Sequence, residues 1–163
     1  EDWRWVFDIN VHGLASCCRA VLQHMSRGAG GLVINVASAA SFCTNAKMSS
    51  YNAAKAAVVA LSETLMQEYA PYGVQTLVAM PGFFRTRLLE SARGPERTLE
   101  GARRIMHDSN IEAAEVAEAM LSAAARGRTH FVYPSRYASL WRLKRLMPQR
   151  FQTLLPKLLS RAG

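Results

Sequence analysis

Tyr51 and Lys55 stand four residues apart in the stretch Y-N-A-A-K, and Ser38 closes an apolar run thirteen residues before the tyrosine. A phenol and an ammonium at i and i+4 lie on one face of a helix. A free phenol, with a pKa of about 10, is a poor acid or base near neutral pH. A cation close by favours the phenolate and lowers that value. A second hydroxyl, from Ser38, can hold a carbonyl oxygen beside the phenol. Such a trio gives a proton to, or takes one from, the oxygen of an alcohol or ketone. An isolated Tyr-x-x-x-Lys pair is more often a solvated helix face, so its surroundings decide.

Those surroundings are elements that bring the three residues together. Residues 32–37, Leu-Val-Ile-Asn-Val-Ala, form a short β-branched run that reads as a buried strand. Ser38 stands at its C-terminal end, the edge where open α/β sheets bind ligands. Residues 51–69 read as a helix, ended by Ala70-Pro71-Tyr72-Gly73, with alanines that let another backbone approach. Residues 74–80 read as a second buried strand, closed by Pro81-Gly82. Upstream, residues 2–25 carry a small or apolar stripe at near-helical spacing: Val6, Ile9, Gly13, Cys17, Ala20 and Met25. Downstream, residues 88–110 are polar and charged and take no element, 112–125 read as an amphipathic helix and 129–133 as a third strand. Alternating strands and helices predict an α/β chain with a parallel sheet and right-handed crossovers.

The motifs and their order resemble those of the short-chain dehydrogenase/reductases of the classical type. E-D-W-R-W-V-F-D-I-N-V-H-G at 1–13 is similar to the family's central helix, G-L-V-I-N-V-A-S at 31–38 to its serine-bearing strand, and Y-N-A-A-K-A-A-V at 51–58 to its catalytic helix. P-G-F-F-R-T at 81–86 is similar to the loop that closes over the nicotinamide. The resemblance implies the C-terminal part of a doubly wound, Rossmann-like sheet and an oxidoreductase using NAD or NADP on an alcohol or carbonyl substrate. It implies Tyr51 as general acid/base. Lys55 would lower the phenol's pKa and, with Tyr51, hold the cofactor ribose. Ser38 would orient the substrate oxygen, and Asn10 would support a water-linked proton path through Lys55. Pro81, Gly82, the backbone near Phe84 and Thr86 would contact the nicotinamide or pyrophosphate. Residues 88–110 would be a substrate lid, and the helices at 2–25 and 51–69 would form a homodimer or homotetramer. Two of these residues have plainer readings: Asn10 as a polar residue inside a helix, Thr86 as an N-cap.

One feature of the family is missing. No G-x-G-x-x-G follows a strand and opens a helix, as pyrophosphate binding requires. Gly28, Gly30 and Gly31 precede a strand, so they are expected to cap a helix and connect. The expectation is a C-terminal portion of a longer enzyme, inactive by itself, with NAD against NADP left open.

Composition bounds the rest. Half of the 163 residues are hydrophobic, enough for a globular core, and no run is long and apolar enough to span a membrane. No signal peptide is expected from the first residues, and the front of a longer enzyme is left open on this point. Three cysteines, two of them adjacent, suit neither a disulfide framework nor a zinc site, and the four histidines lack ligand spacing; no metal is expected. A cytoplasmic setting follows from the reduced cysteines.

The net charge is +8, yet nine Lys and Arg and no Asp or Glu fall after residue 118, which leaves −1 on the rest. The chain therefore divides into a catalytic part, 1–135, and a basic amphipathic helical tail, 136–163. Within the tail, Leu140, Leu143, Met147, Phe151, Leu154 and Leu158 make one helical stripe, with Pro148 and Pro156 as breaks or kinks. The tail covers protein, or it lies on an anionic membrane surface through residues 137–163. The basic residues follow no nucleic-acid module, so no nucleic acid is expected. Two other readings of the whole chain stay open: a non-catalytic Rossmann-like binding or oligomerisation domain, and a peripheral membrane module.

Overall fold

The computed structural model describes residues 3–90 and 92–160, with side chains through Pro156. The expected helix start at Asp2, the side chains of Lys157 and Leu158, and Arg161 lie outside the described residues.

Three strands form one parallel sheet in the order β1 (Gly31–Val36), β2 (Val74–Pro81), β3 (His130–Tyr133). Gly31 lies opposite Val74 and Val36 opposite Ala79; Val78 lies opposite His130 and Pro81 opposite Tyr133. β2 is central and buried almost throughout, which is why its sequence is a continuous apolar run. The first turn of pairing depends on glycine. Gly30 has φ +81, and a Cβ there would sit 2.2 Å from the Gly73 carbonyl oxygen. Gly30 thus serves a close backbone approach just ahead of β1.

Successive residues of β2 point to opposite faces. Val78 and Met80 face a cluster with Val58, Phe42 and Phe151, whereas Leu77 and Ala79 face Val116, Ala123, Ala124 and Phe131. Helices therefore cover both sides: α3 (Ser49–Tyr69), α6 (Ser135–Leu146) and α7 (Pro148–Ser160) on one, α5 (Ala113–Ala125) on the other. This is the doubly wound arrangement expected from the sequence.

The first helical stretch is not uniform. α1 (Trp3–Phe7) passes through a π-helical turn, Asp8–Gly13, into α2 (Leu14–Met25). Asn10 Nδ2 donates to the Val6 carbonyl at 2.9 Å, a side-chain bond that competes with the backbone ladder. α2 is then tied to the sheet by a buried polar relay. Cys18 Sγ donates to Asn35 Oδ1 at 3.4 Å, Asn35 Nδ2 to Ser62 Oγ at 3.0 Å, and Ser62 Oγ to the Val58 carbonyl at 2.7 Å. One asparagine inside β1 thereby joins α2 and α3.

Two expectations are corrected. Residues 88–110 contain a 3-10 turn, Leu88–Glu90, and a helix, α4 (Glu96–His107), where the sequence suggested no element. Met106 is the one buried side chain of α4; the helix is amphipathic but so rich in charge that its sequence reads as a polar connector. The tail stripe also fails at two positions. Met147 leaves helical geometry at φ −137, ψ 65 and Pro148 starts a new helix. The restart changes the phase: Met147 and Leu154 are exposed, and Leu155 joins Phe151 inside. Phe151 is completely buried among Ala37, Phe42, Val58 and Met80.

Candidate active site

β1 ends at Val36 and delivers Ser38 to the C-terminal edge of the sheet. The chain then turns tightly. Ser38 Oγ accepts from the Ala40 N–H at 3.1 Å, Ser41 Oγ donates to the Ser38 carbonyl at 2.7 Å, and the Cys43 N–H donates to the Ala39 carbonyl at 2.7 Å. The turn places the serine hydroxyl against α3, whose first two turns carry Tyr51 and Lys55.

The Ser38 hydroxyl is near enough to the Tyr51 phenol to lower its pKa. The Lys55 ammonium lies 5.7 Å from the centre of the Tyr51 ring and donates to the Val36 carbonyl at 3.2 Å. The structure thus brings Ser38, Tyr51 and Lys55 together. Their electrostatics differ from the simple expectation of a lysine lowering a phenol. Burial is the dominant influence on both groups. It pushes the Tyr51 pKa up, partly countered by the Ser38 hydroxyl, and pushes the Lys55 pKa down. Desolvation favours the neutral form of each. Asn52, next to the tyrosine, donates to the Asn45 carbonyl at 2.9 Å and holds the end of the 39–50 loop onto α3.

The remaining sequence candidates lie around this trio in different ways. Asn10 spends its amide on Val6, within the π-helical turn, a kind of widened turn frequent at functional sites. Pro81 ends β2 opposite Tyr133, and the Gly82 N–H continues the ladder to the Tyr133 carbonyl at 2.7 Å. The Phe84 side chain packs on the α5 side of the sheet. Thr86 is exposed, and its hydroxyl accepts from the Leu88 N–H at 3.3 Å, as an N-cap does. Arg85 pairs with Glu112 at 2.9 Å, which anchors the start of the expected lid to the entry of α5. Further along that segment, the Arg93 guanidinium lies 4.4 Å from the centre of the Trp5 ring. Among the described residues, no three His, Cys, Asp or Glu side chains converge as a metal site.

Two residues near the site escaped the sequence reading. Tyr137 packs its ring on Gly82, where a Cβ would meet Tyr137 Cε2 at 2.1 Å. Lys144 Nζ donates to the Phe42 carbonyl at 3.0 Å. Both belong to the tail, and no local motif links them to residues 42 or 82. The only available signal was the density of aromatic and apolar residues among the basic ones.

Comparison with known proteins agrees with the fold. A family model described as short chain dehydrogenase matches residues 1–97. A 3-oxoacyl-(acyl-carrier-protein) reductase of Synechocystis is 36% identical over 91 residues, covering 56% of this chain and 37% of that protein. The 2-(R)-hydroxypropyl-CoM dehydrogenase of Xanthobacter autotrophicus is 31% identical over 131 residues, covering 80% of this chain and 52% of its own length. The chain thus spans roughly a third to a half of these curated relatives. Among solved structures, a short chain dehydrogenase/reductase from Burkholderia phymatum in complex with NAD superimposes with a TM-score of 0.81 at 25% identity, covering 88% of this chain and 57% of that one.

Proposed function

Because this chain belongs to the short-chain dehydrogenase family, we propose that it forms the catalytic portion of an NAD- or NADP-dependent oxidoreductase acting on an alcohol or ketone. The observation that carries the reading is the convergence of Ser38, Tyr51 and Lys55, with the Lys55 ammonium 5.7 Å from the phenol ring centre and the Ser38 hydroxyl near enough to lower the phenol's pKa. Those groups sit at the C-terminal edge of β1 and β2, where open α/β sheets bind ligands. The donor set suits the nicotinamide end of a dinucleotide. Tyr51 and Lys55 would hold the ribose, and Pro81, Gly82, the Phe84 backbone and Thr86 would line the nicotinamide side. The dinucleotide supplies or accepts the hydride.

The protein residues handle the oxygen. Ser38 holds it beside Tyr51, and Tyr51 donates its proton in reduction or receives one in oxidation. Lys55, pinned to Val36, would hold the cofactor ribose beside the phenol and, when charged, favour the phenolate. Asn10, in the widened turn, would support proton resupply through Lys55. Residues 88–110 would close over the substrate. The chain of 163 residues by itself is expected to bind the dinucleotide weakly, since it contains no Gly-rich pyrophosphate turn.

The test is a panel of secondary alcohols and ketones with NAD(H) and NADP(H), using the natural full-length protein and its Tyr51→Phe variant. Turnover lost in the variant supports the reading; equal turnover in both sinks it. Isothermal titration of the 163-residue chain with each dinucleotide checks the second expectation, and micromolar affinity would contradict it.

Assembly is expected through the outer faces of α1–α2 and α3, as a homodimer or homotetramer. Ile9 and Val21 are exposed, and α3 carries exposed Ala56 and Ala60 with half-buried Ala53 and Ala57 beside them. Ala57→Arg should reduce the mass seen in light scattering; an unchanged mass would count against this face. The tail leaves Leu146, Met147 and Leu154 exposed beside Arg142, Arg145 and Arg150. That favours a second role for the tail as a peripheral membrane contact, checked by flotation with anionic against neutral vesicles. No helix among the described residues is long and apolar enough to cross a membrane.

A further inference from the structure

α6 touches the two loops that border the candidate active site. Lys144 and Tyr137 are seven residues apart, so they project from the same face of α6, two turns or about 10 Å along its axis. At one end, Lys144 Nζ donates to the Phe42 carbonyl at 3.0 Å. Phe42 closes the turn that begins with Ser38, and Phe42 and Cys43 are buried under Phe151 and Leu155 of α7. At the other end, the Tyr137 ring occupies the space where any Cβ at residue 82 would lie. Burial raises the pKa of its phenol, and the Phe83 backbone is among the neighbours that lower it. One rigid helix therefore contacts the serine loop after β1 and the Pro-Gly loop after β2.

We propose that α6 is a brace, and that Lys144 and Tyr137 are positioning residues that set the separation between the Ser38 loop and the nicotinamide-side loop. This rests on the function proposed above. In that reaction the Ser38–Tyr51 pair holds the substrate oxygen while residues 81–86 bound the nicotinamide. The gap between the loops then sets the distance over which the hydride moves. A misplacement near 1 Å costs roughly a hundredfold in rate. The two ends of the brace act on different quantities. Lys144 governs the substrate side and so the rate of the chemical step. Tyr137 governs the dinucleotide side.

The test uses the natural full-length protein with Lys144→Met, Lys144→Arg and Tyr137→Leu. Hydrogen exchange reads loop order without any reference to activity. Lys144→Met should speed exchange in residues 39–43 and leave residues 82–84 unchanged; Tyr137→Leu should do the reverse. Kinetics with the best ketone of the panel should show a separation of effects. Lys144→Met should lower kcat about tenfold to a hundredfold with the dinucleotide KM unchanged, and Lys144→Arg should restore it. Tyr137→Leu should raise the dinucleotide KM severalfold. Unaltered exchange in both variants would overturn the brace whether or not the protein is a dehydrogenase. So would faster exchange with kcat and KM as in the wild type, or a loss in Lys144→Met that matches its fall in Tm and is not restored by arginine. A wild type that turns over nothing would remove the proposed function and leave the exchange comparison to decide the brace.

Discussion

The Lys55 ammonium is 5.7 Å from the centre of the Tyr51 ring while bonded to the Val36 carbonyl at 3.2 Å. One side chain thereby fixes the register of α3 against the end of β1. The same end of β1 leads into Ser38, so the phenol and the serine hydroxyl share a reference point on the sheet. Burial favours the neutral forms of phenol and ammonium, and the Ser38 hydroxyl lowers the phenol's pKa against it.

Tyr51→Phe removes a single oxygen from a half-buried ring. Turnover should fall by about 10² to 10⁴-fold, the usual range for a positioned acid/base group. The melting temperature should stay near that of the wild type. Steady-state kinetics alongside calorimetry on the full-length protein checks this; near-normal turnover would refute the role.

Ser38→Ala removes the hydroxyl that lowers the Tyr51 pKa and leaves the burial that raises it. The phenol should then lose its proton at higher pH. Alcohol oxidation needs the deprotonated phenol, so the rising limb of kcat/KM against pH should move to the alkaline side. A profile that keeps its midpoint in the variant would show that the two hydroxyls do not act together.

Gly82→Ala places a methyl carbon 2.1 Å from Tyr137 Cε2 and 2.3 Å from Cδ2. Overpacking of this kind costs about 1–3 kcal/mol. Tyr137→Ala should destabilise the protein less when residue 82 is already alanine than when it is glycine, because the clash and the ring leave together. Denaturant unfolding of the four proteins in the cycle measures the coupling, and strict additivity would mean that the ring does not press on Gly82.

Cys43 is buried, and burial raises its pKa from 9.0 to about 11, with Lys144 pulling the other way. A thiol raised in the folded state stabilises fully below its unfolded value and loses that contribution as pH climbs through its folded value. Between pH 9 and 11 the wild type should therefore lose about 2 kcal/mol more than Cys43→Ala does. The Tyr51 and Lys55 shifts act in both proteins and cancel from the difference. Parallel stability curves over this range would contradict the assignment.

The sequence by itself determined the spacing of the trio, the three strands and the helices at 51–69 and 112–125. Each depends on short-range pattern: i and i+4 on one helix for Tyr51 and Lys55, a β-branched run ending at Ser38, an apolar run ending at Pro81-Gly82. The tail's role was only half legible there, since its apolar stripe demanded a surface to cover without naming one. Tertiary structure decided that surface, because Phe151 finds Phe42 and Met80 from over a hundred and about seventy positions away. It also decided the break at Met147, where the missing N–H of Pro148 resets the helical phase and exchanges Leu154 for Leu155. Asn35 stood in plain view inside β1, yet its partners Cys18 and Ser62 lie on two other elements. Lys144 and Phe42 are separated by 102 residues. Periodicity reports which face of an element is buried; it carries no information about which distant side chain meets it, and that is settled only when the sheet and helices close on one another.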